Sequence, residues 1–193
     1  MRKRRDPAAV VGPAKLGAVA DEWLTERLLA RPPSPSDQDG YRSLLLDPEV
    51  GEWLRPAPLP PFDDADAMAI LAADERHWAD HGFGPWVLVE RAGRTMVGRG
   101  GLQQIEVDGA PAVELPWAIR SDHWNRGLAS EAAAAAVAWA ETIGLPEVVA
   151  LTTPENRVSR RVAEKSGFVL DGETRHGGIP HLVYRRLLEG AAT

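Results

Sequence analysis

Between Trp124 and Ala132 the chain reads WNRGLASEA, small residues leading into an apolar helical stretch. A helix N-terminus carries unpaired backbone N–H groups and a partial positive charge, so it favours phosphate. Gly127 and Ala129 have little or no side chain, which lets a bulky pyrophosphate approach the backbone. A plainer reading stands beside this one: Gly127 only relieves a crowded turn, and an isolated glycine signal is weak. Asn156 has the side chain of a good N-cap for a helix starting at Arg157. His77 and His81 have metal-ligand spacing, yet no third ligand lies nearby and cysteine is absent, so no metal site is expected.

These residues need a frame, and the pattern supplies one. Leu24 to Ala30 reads as a first strand. Ser34, Pro35 and Asp37 form a helix start of the capping-box type, with that helix stopping before Pro48. Pro56 to Pro61 must be a loop. Asp63 or Asp64 caps a second helix whose stripe is Ala67, Ile70, Leu71 and Trp78, ended by Gly82 and Gly84. Trp86–Glu90 and Thr95–Gln103 flank a turn at Ala92-Gly93, and Asp108-Gly109 turns the chain into Ala112–Arg120. A helix over Arg126–Ile143 then leads to a strand at Val148–Thr152, which implies a right-handed crossover and one parallel pair. A helix over Arg157–Lys165 and strands at Phe168–Leu170 and His181–Leu187 complete the order.

Composition narrows the classes. A chain of 193 residues suits one domain with a real core. A formal net charge of -6 argues against a nucleic-acid binder. The basic start (Arg2, Lys3, Arg4, Arg5) is local, and residues 1–20 read as a mobile arm before a single domain over 21–190. The longest apolar run, Ala132–Ala140, is far short of the roughly 20 residues that a membrane span needs. Pro7, Gly12, Pro13 and Lys15 interrupt any signal-like segment, so a cytoplasmic protein with no membrane partner is expected.

WNRGLASEA resembles the acetyl-CoA loop of the GNAT superfamily, whose pattern is Gln/Arg-x-x-Gly-x-Gly/Ala. Tryptophan at the first position with Ala-x-Glu-Ala after the glycine is similar to the ribosomal-protein N-acetyltransferase (RimJ/RimL-like) branch. TPENRVSRRVAEKSGF, from Thr153 to Phe168, resembles that branch's Asn-x-x-Ser…Glu-Lys-x-Gly-Phe segment. TERLLARPPSPSD, from Thr25 to Asp37, resembles its opening Thr-x-Arg-Leu-x-x-Arg segment. The resemblance covers about Trp23 to Leu188 and implies a mixed α/β (α+β) fold. Its sheet would be mostly antiparallel, of roughly six to seven strands, with a splayed central parallel pair and helices on both faces.

From the resemblance follow the expectations for the site. Acetyl-CoA is the implied cosubstrate. Its pyrophosphate would lie on backbone groups of Arg126, Gly127, Leu128, Ala129 and Ser130, with Arg126 adding charge. Backbone groups near Ala118 and Ile119 would pair with the pantetheine amides. Pro116 in AVELPWAI lacks an N–H and fits a strand whose pairing ends midway. Asn156 and Ser159 would meet the cofactor's arm and thioester end, Asn156 doubling as the helix cap. Arg157, Arg160, Arg161 and Lys165 either reach the nucleotide phosphates or solvate a helix face.

Acetyl transfer to an amine needs a base, because model α-amines have a pKa of about 8 and lysine about 10.4. Glu114, just before the break at Pro116, is the first candidate, with a solvated strand carboxylate as the alternative and His176 and His181 in reserve. Ser159 and Tyr184 are candidates to relieve charge on the departing thiolate, Tyr184 having a core aromatic as its other reading. His81 and Trp78 are placed where they can border an acceptor pocket. The expected activity is acetyl transfer to a primary amine (a protein N-terminus or a small molecule) by direct attack, from a monomer or homodimer. A GNAT-fold module that senses acyl-CoA without turnover is the competing class.

Overall fold

Acidic residues and prolines mark where the first three helices begin. The computed structural model describes residues 21–189; the arm expected over 1–20 lies outside the described residues. Ser34 opens a short 3-10 turn (Pro35–Asp37) with a capping box, its N–H bonded to Asp37 at 2.8 Å, and α1 follows over Gln38–Leu45. That helix does end before Pro48, but another begins there: α2 is Pro48–Leu54, with Asp47 accepting the Glu49 N–H at 3.0 Å. Proline fits a first helical position because its missing N–H would be unpaired anyway. Helix α3, Asp64–His81, has a second capping box between Asp63 and Asp66 and stops at Gly82.

Among the described residues, ten strands form two five-stranded sheets rather than one continuous sheet. Trp23–Leu24 (β1) and Leu28–Arg31 (β2) replace the single first strand expected from the sequence. They continue into Pro85–Glu90 (β3) and Thr95–Gly101 (β4). Gln103–Val107 (β5) and Ala110–Glu114 (β6) form a hairpin in the second sheet, and Trp117–Ile119 (β7) returns to the first. After α4 (Leu128–Thr142) come Glu147–Thr152 (β8), α5 (Arg157–Lys165), Val169–His176 (β9) and Ile179–Leu187 (β10). The sheet orders are β1-β2-β3-β4-β7 and β5-β6-β8-β10-β9, antiparallel throughout except β6 with β8.

The expected parallel pair is present but reduced to one bridge, Glu114 opposite Val149, reinforced by Leu115 N–H to Val149 O at 2.7 Å. Pro116 cannot continue the ladder as a donor, and its carbonyl turns instead to Gly101 N–H at 3.1 Å. From there β7 follows β4, and the chain parts from β8. Gly98 permits this: a Cβ there would stand 2.3 Å from the Ala118 carbonyl oxygen, so β7 comes this close only to a glycine.

Helices cover both faces of the first sheet. Val87 packs with Tyr41 and Leu45 of α1 and Ala67 and Leu71 of α3, while Trp86 and Leu88 face α4. Trp86 meets Trp139 edge-on at 5.0 Å, with Trp23 and Trp78 beside it, so four of the seven tryptophans knit β1, α3, β3 and α4 together.

Candidate functional site

The turn before α4 is shaped by its own residue types. Trp124 folds back, and its indole N–H donates to the Ile119 carbonyl at 2.7 Å. Asn125 and Gly127 both adopt left-handed backbone (φ 60° and 77°), a conformation open to glycine and tolerated by asparagine. Helix α4 therefore starts at Leu128 on a glycine N-cap with no side-chain cap. The backbone of Arg126–Ser130, expected to cradle the pyrophosphate, forms this turn and the first residues of α4. The Arg126 guanidinium is ion-paired to Glu90.

A clamp that sequence reasoning missed holds this turn. The Arg27 backbone N–H and Nε donate to Glu131 at 2.9 and 2.6 Å, Thr25 bonds the same carboxylate, and Arg27 Nη1 donates to the Arg126 carbonyl at 2.5 Å. Burial pushes the Glu131 carboxyl up, but these donors outweigh it and hold it below its ordinary value. The signal was available: Thr25 and Arg27 belong to one quoted motif and Glu131 to the other, but nothing in the spacing says that the two meet.

The split between β7 and β8 is the second half of the site. Ala118, paired with Arg99, turns its carbonyl towards β4, where it crowds Gly98. Alternation along a strand then turns the backbone groups of Trp117 and Ile119 towards the split, and Trp124 already takes the Ile119 carbonyl. Of the two residues named for this edge, only Ile119 faces it. Across the split, Asn156 accepts the Ser159 N–H at 3.0 Å and so caps α5.

Glu114 sits at the end of β6, opposite Gln103 of β5 and Val149 of β8. It is only partly exposed, and burial pushes its carboxyl up to about 7, against the opposing pull of Arg99 and a hydrogen bond from the Leu151 backbone. Tyr184 is placed elsewhere. It lies opposite Ala150, the next residue along β8, so its side chain projects from the other face of the sheet. There it is buried, its hydroxyl 3.2 Å from Arg160 Nε and 3.5 Å from Glu164. Ser159 and Tyr184 thus share the α5 side and Glu114 the opposite side, with the β7–β8 split between them.

The histidines divide by role. His77 Nε2 accepts the Gln104 N–H at 2.9 Å and Nδ1 donates to the Phe83 carbonyl at 2.7 Å, so both nitrogens are spent on joining α3 to β5. Burial lowers its pKa, which fits the neutral ring. Trp78 donates to the Pro85 carbonyl at 2.8 Å and packs in the tryptophan cluster. His181 lies on the Glu114 face of β10, 5.8 Å from His176 ring to ring. Near them Thr174 of β9 donates to Asp108, at the tip of the β5–β6 hairpin, at 2.6 Å. Two open depressions, lined by Arg31, Val89 and Arg94 among others, lie along β2 and β3 and not at the split.

Residues 27–169 match the family described as acetyltransferase (GNAT) domain. The chain belongs to the GNAT acetyltransferase family. It is 30% identical to an acetyltransferase from Agrobacterium tumefaciens whose crystal structure superposes with a TM-score of 0.74, covering 91% of this chain and 99% of that one. It is 26% identical to the Bacillus subtilis protein YkkB over 84% of this chain and 94% of that protein. A RimL ribosomal L7/L12 α-N-protein acetyltransferase, solved with coenzyme A, shares the fold at a TM-score of 0.69 and 16% identity, over 87% of this chain and 97% of the other.

As a GNAT enzyme the protein is an N-acetyltransferase that uses acetyl-CoA. The glycine-capped start of α4 suits that cosubstrate, because no side chain caps the helix end where phosphate would lie. The break after Leu115 suits its arm, because it leaves the strand edge of β7 unpaired towards β8. Among the described residues no group of three His, Cys, Asp or Glu could hold a metal ion, and no helix is long and apolar enough to cross a membrane.

Proposed function

We propose that this enzyme acetylates a primary amine, on a protein N-terminus or a small molecule, by direct attack within a ternary complex. Glu114 takes the proton of the incoming ammonium. The free amine nitrogen then attacks the thioester carbonyl carbon, the carbon–sulfur bond breaks, and the second proton, lost by the acylated nitrogen, ends on the CoA thiolate. The observation that carries this reading is a half-buried carboxylate at the mouth of the β7–β8 split, with a pKa raised to about 7. A base poised near neutrality accepts a proton from an ammonium far better than an ordinary glutamate. A helix start without a side-chain cap holds the pyrophosphate on the backbone of Arg126, Gly127, Leu128, Ala129 and Ser130. The groups of Trp117 and Ile119 that face the split are placed to meet the pantetheine amides, whereas those of Ala118 serve β4. On the α5 side, Asn156 and Ser159 border the arm, and Ser159 or Tyr184 returns the proton to the thiolate.

The test is turnover of acetyl-CoA against a panel of primary amines and short unblocked peptides, with the wild type and Glu114→Gln. The variant should lose about 100-fold or more in kcat, while its affinity for CoA, read by calorimetry, stays within a factor of two or so. Unchanged turnover in the variant removes Glu114 from the mechanism.

A further inference from the structure

A row of polar side chains crosses the α1 and α3 side of the first sheet and ends beside Glu114. Tyr41 of α1 donates its hydroxyl to Asp74 of α3 at 2.7 Å. Arg99 of β4 meets the same carboxylate through Nε and, at 2.6 Å, through Nη2. That Nη2 also donates to Gln103 Oε1 at 3.2 Å, and Gln103 stands directly opposite Glu114 in the β5–β6 ladder. The row is deep: the Asp74 side chain is 4% exposed and that of Arg99 15%. Burial works against the Arg99 charge, but Asp74 outweighs it, so Arg99 remains a cation. Packing alone does not call for a charged pair at such a place, since apolar side chains of similar size commonly serve as well.

We infer that Asp74, with Tyr41 behind it, is a positioning residue for the reaction: it holds the Arg99 guanidinium in place and away from a direct bond with Glu114. Glu114 then lies in the field of a cation it does not pair with. A guanidinium free to pair with Glu114 would form a bidentate bridge and strip the carboxylate of its basicity. The other charged groups on this side are already engaged. His77 of α3 spends both nitrogens, and Arg185 of β10, on Glu114's face of the second sheet, is paired with Asp171 and with Glu147 of β8. His181 shares that face, with Nδ1 at the Ile179 carbonyl. Among the described residues, Arg99 is the charged group whose pull on the Glu114 carboxyl is resolved.

The inference rests on Glu114 being the base, and pH profiles of kcat, with a short unblocked peptide or a primary alkylamine as acceptor, test the two separately. In Asp74→Asn the released Arg99 turns to Glu114, so the acidic break should move down by about one pH unit, with a several-fold loss in rate above it. The double variant Arg99→Gln/Asp74→Asn removes both charges and leaves no unpaired buried ion, so it keeps the experiment alive if the single variant fails to fold. There the acidic break should move up by about one unit instead. Thermal melts and CoA titration establish that each variant is folded and binds cofactor. If the break stays at the wild-type pH in the folded variants while Glu114→Gln is inactive, the positioning role is overturned and the base stands. If Glu114→Gln turns over normally, the base itself has been wrongly assigned, and the inference falls with it.

Discussion

Arg27 joins three parts of the cofactor loop at once: it neutralises Glu131, bonds the Arg126 carbonyl and comes within 3.5 Å of where a Gly127 side chain would begin. Replacing it with glutamine leaves the Glu131 carboxylate without its cation in the first turn of α4, beside the expected pyrophosphate. Two negative groups then compete for one helix dipole. Arg27→Gln should raise KM for acetyl-CoA about tenfold, equivalent to about 1.4 kcal/mol, with little change in kcat; a KM equal to wild type would show that the clamp does not shape the site. At this scale the sequence revealed only part of the site. Gly127 and Asn156 announce themselves, since a glycine before a helix and an asparagine three residues before its bonded N–H are local signals. The pairs Arg27–Glu131 and Arg99–Asp74 are not local. Their partners lie 104 and 25 residues apart and meet only because α4 and α3 pack on particular strands.

At the scale of elements, the site exists because two strands change sheets. The chain leaves the first sheet between Gly101 and Gln103 and returns after Pro116, and the return is what opens β7 away from β8. Gly98 is the residue that lets β7 lie against β4. Gly98→Val would place side-chain atoms against the Ala118 carbonyl, which is backbone and cannot rotate away. Overpacking of this kind should destabilise the fold by about 3 kcal/mol, read as a lower denaturant midpoint; an unchanged midpoint would mean that the strands are not held this close. Proline marked both the break at Pro116 and the end of α1 before Pro48, but the start of α2 at Pro48 under an Asp47 cap was not expected. The eight-residue β9 was under-read as Phe168–Leu170. Its remainder, Asp171–His176, is polar and almost wholly exposed, so it lacks the alternation by which a half-buried strand is recognised. Gly177 and Gly178, both with positive φ, make the tight turn into β10.

Across the whole molecule the candidate residues divide between two faces. The helix α5 side carries Asn156, Ser159 and Tyr184, the α1 and α3 side carries Arg99, Asp74 and Glu114, and the split between β7 and β8 joins them. Helices α4 and α5 and strands β3 and β8 could be read from residue patterns, and the fold class from the resemblance. The strand expected over Thr95–Gln103 is instead β4 and the first residue of β5, and the one expected over Ala112–Arg120 is divided between β6 and β7 in different sheets. The face on which each catalytic candidate projects could not be read, because it depends on strand register, and a shift of one residue reverses it. The most direct test of the account is the pH dependence of kcat for amine acetylation in the wild type and Glu114→Gln. Glu114 must be ionised to accept a proton, so the wild-type rate should fall tenfold per unit below a break near pH 7, where its pKa lies, and level off above. The variant should be slow and show no break there. A wild-type profile that stays flat from pH 5 to 8, or the same break in Glu114→Gln, would contradict the assignment of Glu114 as the base.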